Sequence, residues 1–460
     1  MNDLNAFCDA LGDIPRMDDA ASVRIKSRDF FWFSPILRGE LEGKVADLVV
    51  RPRDKDDVIR VAAAAARHRI PVTLRGGGTG NYGQAVPLQR GVVIDMAGMD
   101  KVLGSAPGSA VIEAGATMLE IDRALKPTGW ELRMHPSTRK AATIGGFLAG
   151  GAAGVGSCTW GQVSDPGAVL GVEVVTLEEE PRVLQLSGRE VMKVIHAYGV
   201  NGIITQVTMP LAPCQPWAER MLTFPSLSKA AAFGQALTAA DAIAKKLVSV
   251  FDPRIAPLIK RLAPLVPDGR AMAIVMVAEP QAGAMAELAA DFGGEIVFER
   301  GAKDAEDAVY RALGGMPPLY EYTWNHTTLH ALRVEPAYTY LQLRFPHERN
   351  LALIDQVAEE FGDEVLLHLE FQRRFGHATC SSLPLVHYSG RTRLYKIIDR
   401  LNALDVAVSD PHTFRLDGAG WKRIDAPQPE FKAEADPHGL MNPGKLVETG
   451  DAIPPKAAVG

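Results

Sequence analysis

Arg75-Gly76-Gly77-Gly78-Thr79-Gly80-Asn81-Tyr82-Gly83-Gln84 is the stretch that decides the fold. Gly78, Gly80 and Gly83 satisfy G-x-G-x-x-G directly after the apolar run 71–75, the spacing of a dinucleotide-binding fingerprint. That fingerprint needs a helix to begin inside the motif, so that its N-terminal dipole faces a pyrophosphate. Pro87 follows closely on Gly83 and leaves no room for one. The stretch predicts instead a coil of successive backbone N–H groups around an anion, a nest that glycine forms without steric cost.

Working outward, 46–51 is an apolar β run, and 53–68 opens with Asp54, Asp56 and Asp57 before Val58, Val61, Ala62 and Ala65 recur at helical spacing. With 71–75 these form a βαβ unit, and further strands are expected at 91–96, 110–114, 169–177 and 202–209. A second glycine-rich stretch runs from Pro136-Ser137-Thr138-Arg139-Lys140 through Ala142-Thr143-Ile144-Gly145-Gly146. Thr143 can cap a short helix whose small residues let the backbone approach a flat ligand. Together with Gly202-Ile203-Ile204-Thr205, the two loops imply one long, dinucleotide-sized ligand across several strand ends.

Pro210, Pro213 and Pro216 read as a linker. Beyond it, helices at 226–243, 280–292, 302–313, 347–361 and 389–404 alternate with strands at 247–251, 271–278, 294–299, 338–345 and 364–375, an α+β layout with helices on one face. Strand alternation puts Tyr338, Tyr340, Gln342 and Arg344 on one face, and His368, Glu370, Gln372 and Arg374 on one face of the other strand. These polar faces are either solvated or roof a ligand held by the first domain. The expected division is an N-terminal segment 1–43, a ligand-binding domain 44–212, a cap domain 217–404 with a mixed or antiparallel sheet, and a segment 405–460.

The sequence resembles the FAD-binding domain of the vanillyl-alcohol oxidase/p-cresol methylhydroxylase flavoproteins. The resemblance rests on Val49-Val50-Arg51-Pro52, Arg75–Gly83, Ala142–Gly146 and Gly202–Thr205 in that order, and resumes in Asp436-Pro437-His438-Gly439-Leu440-Met441-Asn442-Pro443-Gly444-Lys445. It implies an α+β fold with a two-lobed FAD-binding domain plus an α+β cap, a C-terminal segment that returns to the flavin domain, and oxidation of a C–H or C–OH substrate. Carried over by position, Arg75, Gly76, Gly77, Gly78, Thr79, Gly80, Gly83 and Gln84 would hold the pyrophosphate and ribityl. Pro136, Ser137, Thr143, Gly145 and Gly146 would line the ring and phosphates, Gly202 and Ile204 would add backbone contacts, and Asn442 and Lys445 would approach from the far end. Many relatives attach FAD through a histidine in the first loop; Thr79 stands here, so non-covalent FAD is the default.

A flavin accepts a hydride, and an alcohol gives one up readily once a base takes the hydroxyl proton. Histidine suits that task. His326 and His412 are the candidate bases, Glu370 a further catalytic candidate that shares a strand face with His368 and could share a metal with it, and Arg344 the anchor for a substrate carboxylate or phenolate through its planar guanidinium. His326 and His330 stand one helical turn apart, but Asn325 replaces the glutamate of H-E-x-x-H, and a packed pair is the better reading. The Gly-Asp-Gly-Asn metal motif of relatives that oxidise D-2-hydroxy acids is absent, which counts against a metal-assisted hydroxy-acid reaction, and no metal ligand is assigned.

The 460 residues allow two or three domains, and 47% hydrophobic against 23% charged residues describes a globular chain. A net charge of −6 gives no basic excess for nucleic acid. Cys8, Cys158, Cys214 and Cys380 form no CxxC, the first twenty residues hold no signal-length apolar core, and the glycine-rich run 143–158 is too short to span a bilayer. A cytoplasmic protein with no transmembrane segment is expected, and a homo-oligomer is allowed. The leading expectation is an FAD-dependent oxidoreductase that moves a hydride from a 2-hydroxy acid or aromatic alcohol to the flavin, with oxygen, a quinone or an electron-transfer protein as acceptor. A non-catalytic nucleotide- or metabolite-binding protein and an NAD-dependent dehydrogenase are the alternatives.

Overall fold

A computed structural model describes residues 3–151, 153–310, 315–416 and 427–446. The βαβ unit forms as its sequence dictates. Leu48–Val50, Val92–Asp95 and Val72–Arg75 lie side by side in parallel, with Arg16–Met17 antiparallel on the outer edge. Both faces of this sheet are covered, which explains why Leu48–Val50 is apolar at every position. The helix Lys55–His68 packs Val58, Val61, Ala62 and Ala65 on one face, and Val23 of the helix Ala20–Lys26 meets Val49 and Val93 on the other.

Asp54 starts the crossover helix by accepting a hydrogen bond from Asp57 N at 2.9 Å. Asp54→Ala is expected to lower stability by about 1 kcal/mol. A fall in the urea midpoint at unchanged slope would show it.

A second sheet carries Val102–Ala106, Ser109–Glu113, Ile203–Pro213, Gly171–Val175 and Val183–Ser187 in that order, all antiparallel. Its spine, Ile203–Pro213, is longer than the expected 202–209. Pro210 and Pro213 belong to it, pairing with Ser109 and Trp130 near ladder ends where a missing N–H is tolerated. The link to the next strand, Trp217–Phe224, therefore shrinks to residues 214–216.

Beyond that link lies an eight-stranded sheet, ordered Glu295–Arg300, Trp217–Phe224, Ala271–Ala278, Lys245–Phe251, His368–Arg374, His377–Ser382, Gln342–Arg344 and Ala407–Ser409. Every pairing in it is antiparallel. Ala271, Ala273, Val275 and Val277 meet the helices Leu227–Ala239 and Asn350–Phe361 in one core, while Met272, Ile274 and Met276 face another core that includes Leu119 and Val155 of the first domain. The helices thus lie on one face, and the other face looks toward the first domain.

The long strands expected at 338–345 and 364–375 each break in two. Tyr338–Tyr340 and Val365–Leu366 pair with Leu385–His387 in a separate three-stranded sheet, while Gln342–Arg344 and His368–Arg374 flank His377–Ser382 in the large one. Pro384 interrupts the shared partner, because a residue without an N–H cannot continue the ladder. Tyr338 and Tyr340 therefore leave the face that Arg344 occupies. The C-terminal stretch returns to the first sheet: Met441 bridges Val72, Val72 N donates to Leu440 O at 2.8 Å, and Asn442 N donates to Val72 O at 2.6 Å.

Candidate functional site

The 75–84 stretch leaves its strand as coil and no helix begins in it. Arg75 is buried and turns back beneath its own loop, donating from Nη1 to Lys26 O at 3.1 Å and to Arg28 O. Burial holds its guanidinium below its ordinary value, opposed by Asp95 and Asp29. The glycines are required by contact with the second loop. A Cβ on Gly76 would sit 2.1 Å from Thr143 Oγ1, and one on Gly77 would sit 2.0 Å from Ala141 O. Gly78, at φ +64, would drive a Cβ to 2.1 Å from Arg75 Nη2.

Thr143 accepts from Gly146 N at 3.3 Å and caps the short helix Ile144–Gly150, as its sequence predicts. Gly145 approaches the chain at Ala114 so closely that a Cβ would stand 2.7 Å from the alanine's own. The two loops interlock through backbone and hydroxyl rather than through bulky side chains.

Between them and the eight-stranded sheet lies a cavity of about 340 Å³. Arg75, Gly76, Gly77, Gly78, Thr79, Gly80 and Gln84 line it, as do Pro136, Ser137, Thr143, Gly145, Gly146, Gly202 and Ile204. The sheet contributes Gln342, Arg344, Arg374, Ser381 and Ser382, and Trp324 and Asn325 add a short wall. Of the polar strand faces, Gln342, Arg344 and Arg374 thus roof the glycine loops.

Three expected cofactor contacts fall behind the loop instead of on the cavity. Lys445 is fully buried and donates from Nζ to Gly83 O, facing Asp29; burial lowers its affinity for a proton. Asn442 donates from Nδ2 to Gln84 O at 2.9 Å and to Tyr198 O at 2.6 Å. Gly83 itself, at φ +75, turns toward Leu41 and Phe414. Asn442 and Lys445 brace the loop from its outer side.

Of the four expected catalytic residues, Arg344 alone is on the cavity wall. His326 donates from Nδ1 to Glu321 O at 3.1 Å. His412 is buried between Ser34 Oγ, 2.6 Å from Nδ1, and Tyr340 O, 2.9 Å from Nε2. Glu370 faces the right way but is roofed: its Oε1 accepts from Trp324 N at 2.6 Å and its Oε2 from Ser249 Oγ. His368 Nε2 lies 2.9 Å from Glu370 Oε1 without hydrogen-bond alignment, its ring stacked on Phe251. Among the described residues no three His, Cys, Asp or Glu side chains are grouped to hold a metal ion.

Several wall residues have no signature in the sequence. Residues 196–199 reach the cavity because His196, Tyr198 and Gly199 take positive φ. Trp324 also stands at φ +53, held there by Glu370. Asp29, from the N-terminal segment, accepts from Phe31 N at 2.9 Å and Ala85 N at 3.3 Å, and burial pushes its carboxyl up to about 6. Strand alternation marks Gln342 and Arg374 but not Ser381 and Ser382.

The wall suits a polar ligand. Arg75 Nε, Asn81 Nδ2 and Asn201 Oδ1, all on cavity-lining residues, are buried without hydrogen-bond partners among the described residues. Two donors and an acceptor therefore stand unsatisfied beside amide-rich loops, the donor set that a diphosphate-linked nucleotide meets.

Residues 46–184 match the protein family described as FAD binding domain. Over 192 residues the chain is 33% identical to the glycolate oxidase subunit GlcD of Escherichia coli K12, covering 40% of this chain and 38% of that one. It is 39% identical over 137 residues to D-2-hydroxyglutarate dehydrogenase of Escherichia coli K12, covering 28% and 13%. It is 30% identical over 176 residues to D-lactate dehydrogenase of Archaeoglobus fulgidus, covering 36% and 39%. The chain thus spans about two-fifths or less of the length of these curated relatives. A solved structure of alkyldihydroxyacetonephosphate synthase shares the fold across 95% of this chain and 84% of its own, with a TM-score of 0.69 at 15% identity. The interlocked glycine loops, the cavity they line and these matches together identify residues 46–184 as an FAD-binding domain, similar to that of the p-cresol methylhydroxylase-type flavoproteins.

Proposed function

We propose that the protein is an oxidoreductase that binds FAD non-covalently and takes a hydride from the hydroxyl-bearing carbon of a small 2-hydroxy acid, the hydroxyl proton passing to solvent and a 2-oxo acid remaining. The observation that carries this reading is Arg344: a half-buried guanidinium, in no ion pair among the described residues, on the wall that roofs the glycine loops. Bound against those loops, FAD would supply the two-electron acceptor. Arg344 would grip the carboxylate with two parallel hydrogen bonds and fix the hydroxyl-bearing carbon relative to the cavity. Burial and the nearby Arg374 lower its proton affinity, but a guanidinium stays charged at neutral pH. A carboxylate matches Arg344 better than a neutral aromatic alcohol does. Relatives named for glycolate, D-2-hydroxyglutarate and D-lactate support the acid class.

Oxygen, a quinone or an electron-transfer protein would take the electrons onward. No helix of the described residues is long and apolar enough to cross a membrane. Four unpaired cysteines support a cytoplasmic setting.

Anaerobic titration of the yellow protein tests the reading: 2-hydroxy acids should bleach its visible flavin bands and benzyl alcohol should not. Flavin bands that no hydroxy acid bleaches would leave a binding protein. Arg344→Met is expected to keep the flavin and to raise KM for the acid about tenfold to a hundredfold, the loss of one charge-assisted pair. Steady-state kinetics beside flavin content would measure it.

A further inference from the structure

The cavity holds a second guanidinium that one carboxylate leaves unsatisfied. Arg374, like Arg344, lines the wall and enters no ion pair among the described residues; its close partner is the ring of Phe375, 5.5 Å away. Strand register separates the two. Arg344 pairs with Ser381, which pairs on its other side with Glu370, whereas Arg374 pairs with His377. Arg374 therefore lies four residues, about 13 Å, farther along the sheet and two strands across.

Two cations that converge on one partly dry space repel each other, and the repulsion rises as water is excluded. Arg374 in fact contributes to lowering the proton affinity of Arg344. The one described carboxylate on the wall is Asp29, whose oxygens are already taken by Phe31 N and Ala85 N beneath the first glycine loop. Neutralising both guanidinium groups requires two anions at separate points on the ligand. Ser381, beside Arg344 in register, and Gln342 supply further polar atoms on that wall.

We propose that Arg374 determines specificity, and that the substrate is a 2-hydroxy acid carrying a second anionic group, a carboxylate or a phosphate. This rests on the 2-hydroxy-acid reading above. Arg344 takes the carboxylate next to the hydroxyl, and Arg374 takes the distal anion.

The test compares malate, 2-hydroxyglutarate and 3-phosphoglycerate with 2-hydroxybutyrate and 2-hydroxypentanoate, in the holoenzyme and in Arg374→Gln and Arg374→Lys. The dianions should exceed the monoanions at least tenfold in kcat/KM. That ratio should collapse toward one in Arg374→Gln and survive in part in Arg374→Lys, with flavin content unchanged in both. The carboxylate and phosphate arms identify which distal group is used. Calorimetric binding of glutarate against butyrate, neither of which can be oxidised at a hydroxyl, should show the same preference and the same loss. Equal use of monoanions and dianions overturns the proposal, as does a Gln variant that weakens both classes alike or that releases FAD. Bleaching by no hydroxy acid of either class, with glutarate still preferred over butyrate, would instead overturn the underlying activity while the dianion site stands.

Discussion

Gly77→Ala should purify as a colourless protein. The added Cβ would lie 2.0 Å from Ala141 O and 2.8 Å from its carbonyl carbon, both backbone atoms with no rotamer to change. Ala141 cannot retreat easily: its N–H donates to Thr138 O at 2.8 Å, and the next residue is held from both sides, Ala142 N donating to Thr138 O and Met118 N to Ala142 O. The first loop must therefore lift off the second, which separates the two walls expected to hold FAD. A loss of at least a hundredfold in FAD affinity is expected, about 2.7 kcal/mol. Visible absorbance per mole of protein, before and after incubation with excess FAD, measures it. Gly104→Ala is the control, because a Cβ there meets nothing within 4 Å, and it should stay yellow. Circular dichroism separates a lost cofactor from a lost fold. A folded Gly77→Ala protein with full flavin content would show that the loops do not grip the cofactor by close approach.

The same glycines mark how far the amino-acid sequence alone reveals the fold and its site. Gly76, Gly77 and Gly145 are legible because their signal is local, a residue type that alone lets two backbones come so close, although the backbone each one meets belongs to another segment. Pro87 excludes a helix from the first loop by the same local logic. Arg344 and Arg374 are legible as members of a polar strand face, since side-chain alternation needs only the assignment of a strand. What alternation cannot reveal is which part of a strand belongs to which sheet. Pro384 lies on the partner strand, so the breaks at Leu341 and Leu367 follow from pairing across the fold and not from either strand's own residues. Alternation puts Glu370 on the correct face, yet Trp324 covers it through a backbone conformation that no tryptophan announces in sequence. His412 and His326 stand out in sequence for their chemistry alone, and burial against Tyr340 O and Glu321 O gives them structural partners. The contrast is between signals carried by one segment and those created when two segments meet.

His326 and His330 should make the protein acid-labile below pH 6.5. Both rings converge on one acceptor: His326 Nδ1 donates to Glu321 O at 3.1 Å and His330 Nε2 donates to it at 3.2 Å. The hydrogen bond to Glu321 O by itself favours the protonated ring, but burial outweighs it and each ring is neutral in the folded protein near neutrality. Burial pushes both down to about 4 from the ordinary value of 6.5, and for His330 the neighbouring His326 adds to the effect. An imidazole depressed on folding binds its proton more tightly in the unfolded chain. Its stabilising contribution is complete above pH 6.5 and is lost as pH falls from there toward 4. At about 1.36 kcal/mol per pH interval of one, each ring accounts for up to about 3 kcal/mol. The pair yields less than twice that, because protons on the two rings are not independent. The element at stake is the helix Asn325–Leu332, whose first turn follows Trp324 and places Asn325 on the cavity wall, so unfolding and loss of the wall should coincide. Urea unfolding at pH 7.5, 6, 5 and 4.5 would trace the slope. In the double variant His326→Asn, His330→Gln, each new amide can keep its donor to Glu321 O but cannot titrate in this range. That variant should match the wild type near neutrality and lose much of the slope between pH 6.5 and 4. An unchanged slope would place the acid sensitivity elsewhere, and the packed histidine pair would then have no part in holding the wall at low pH.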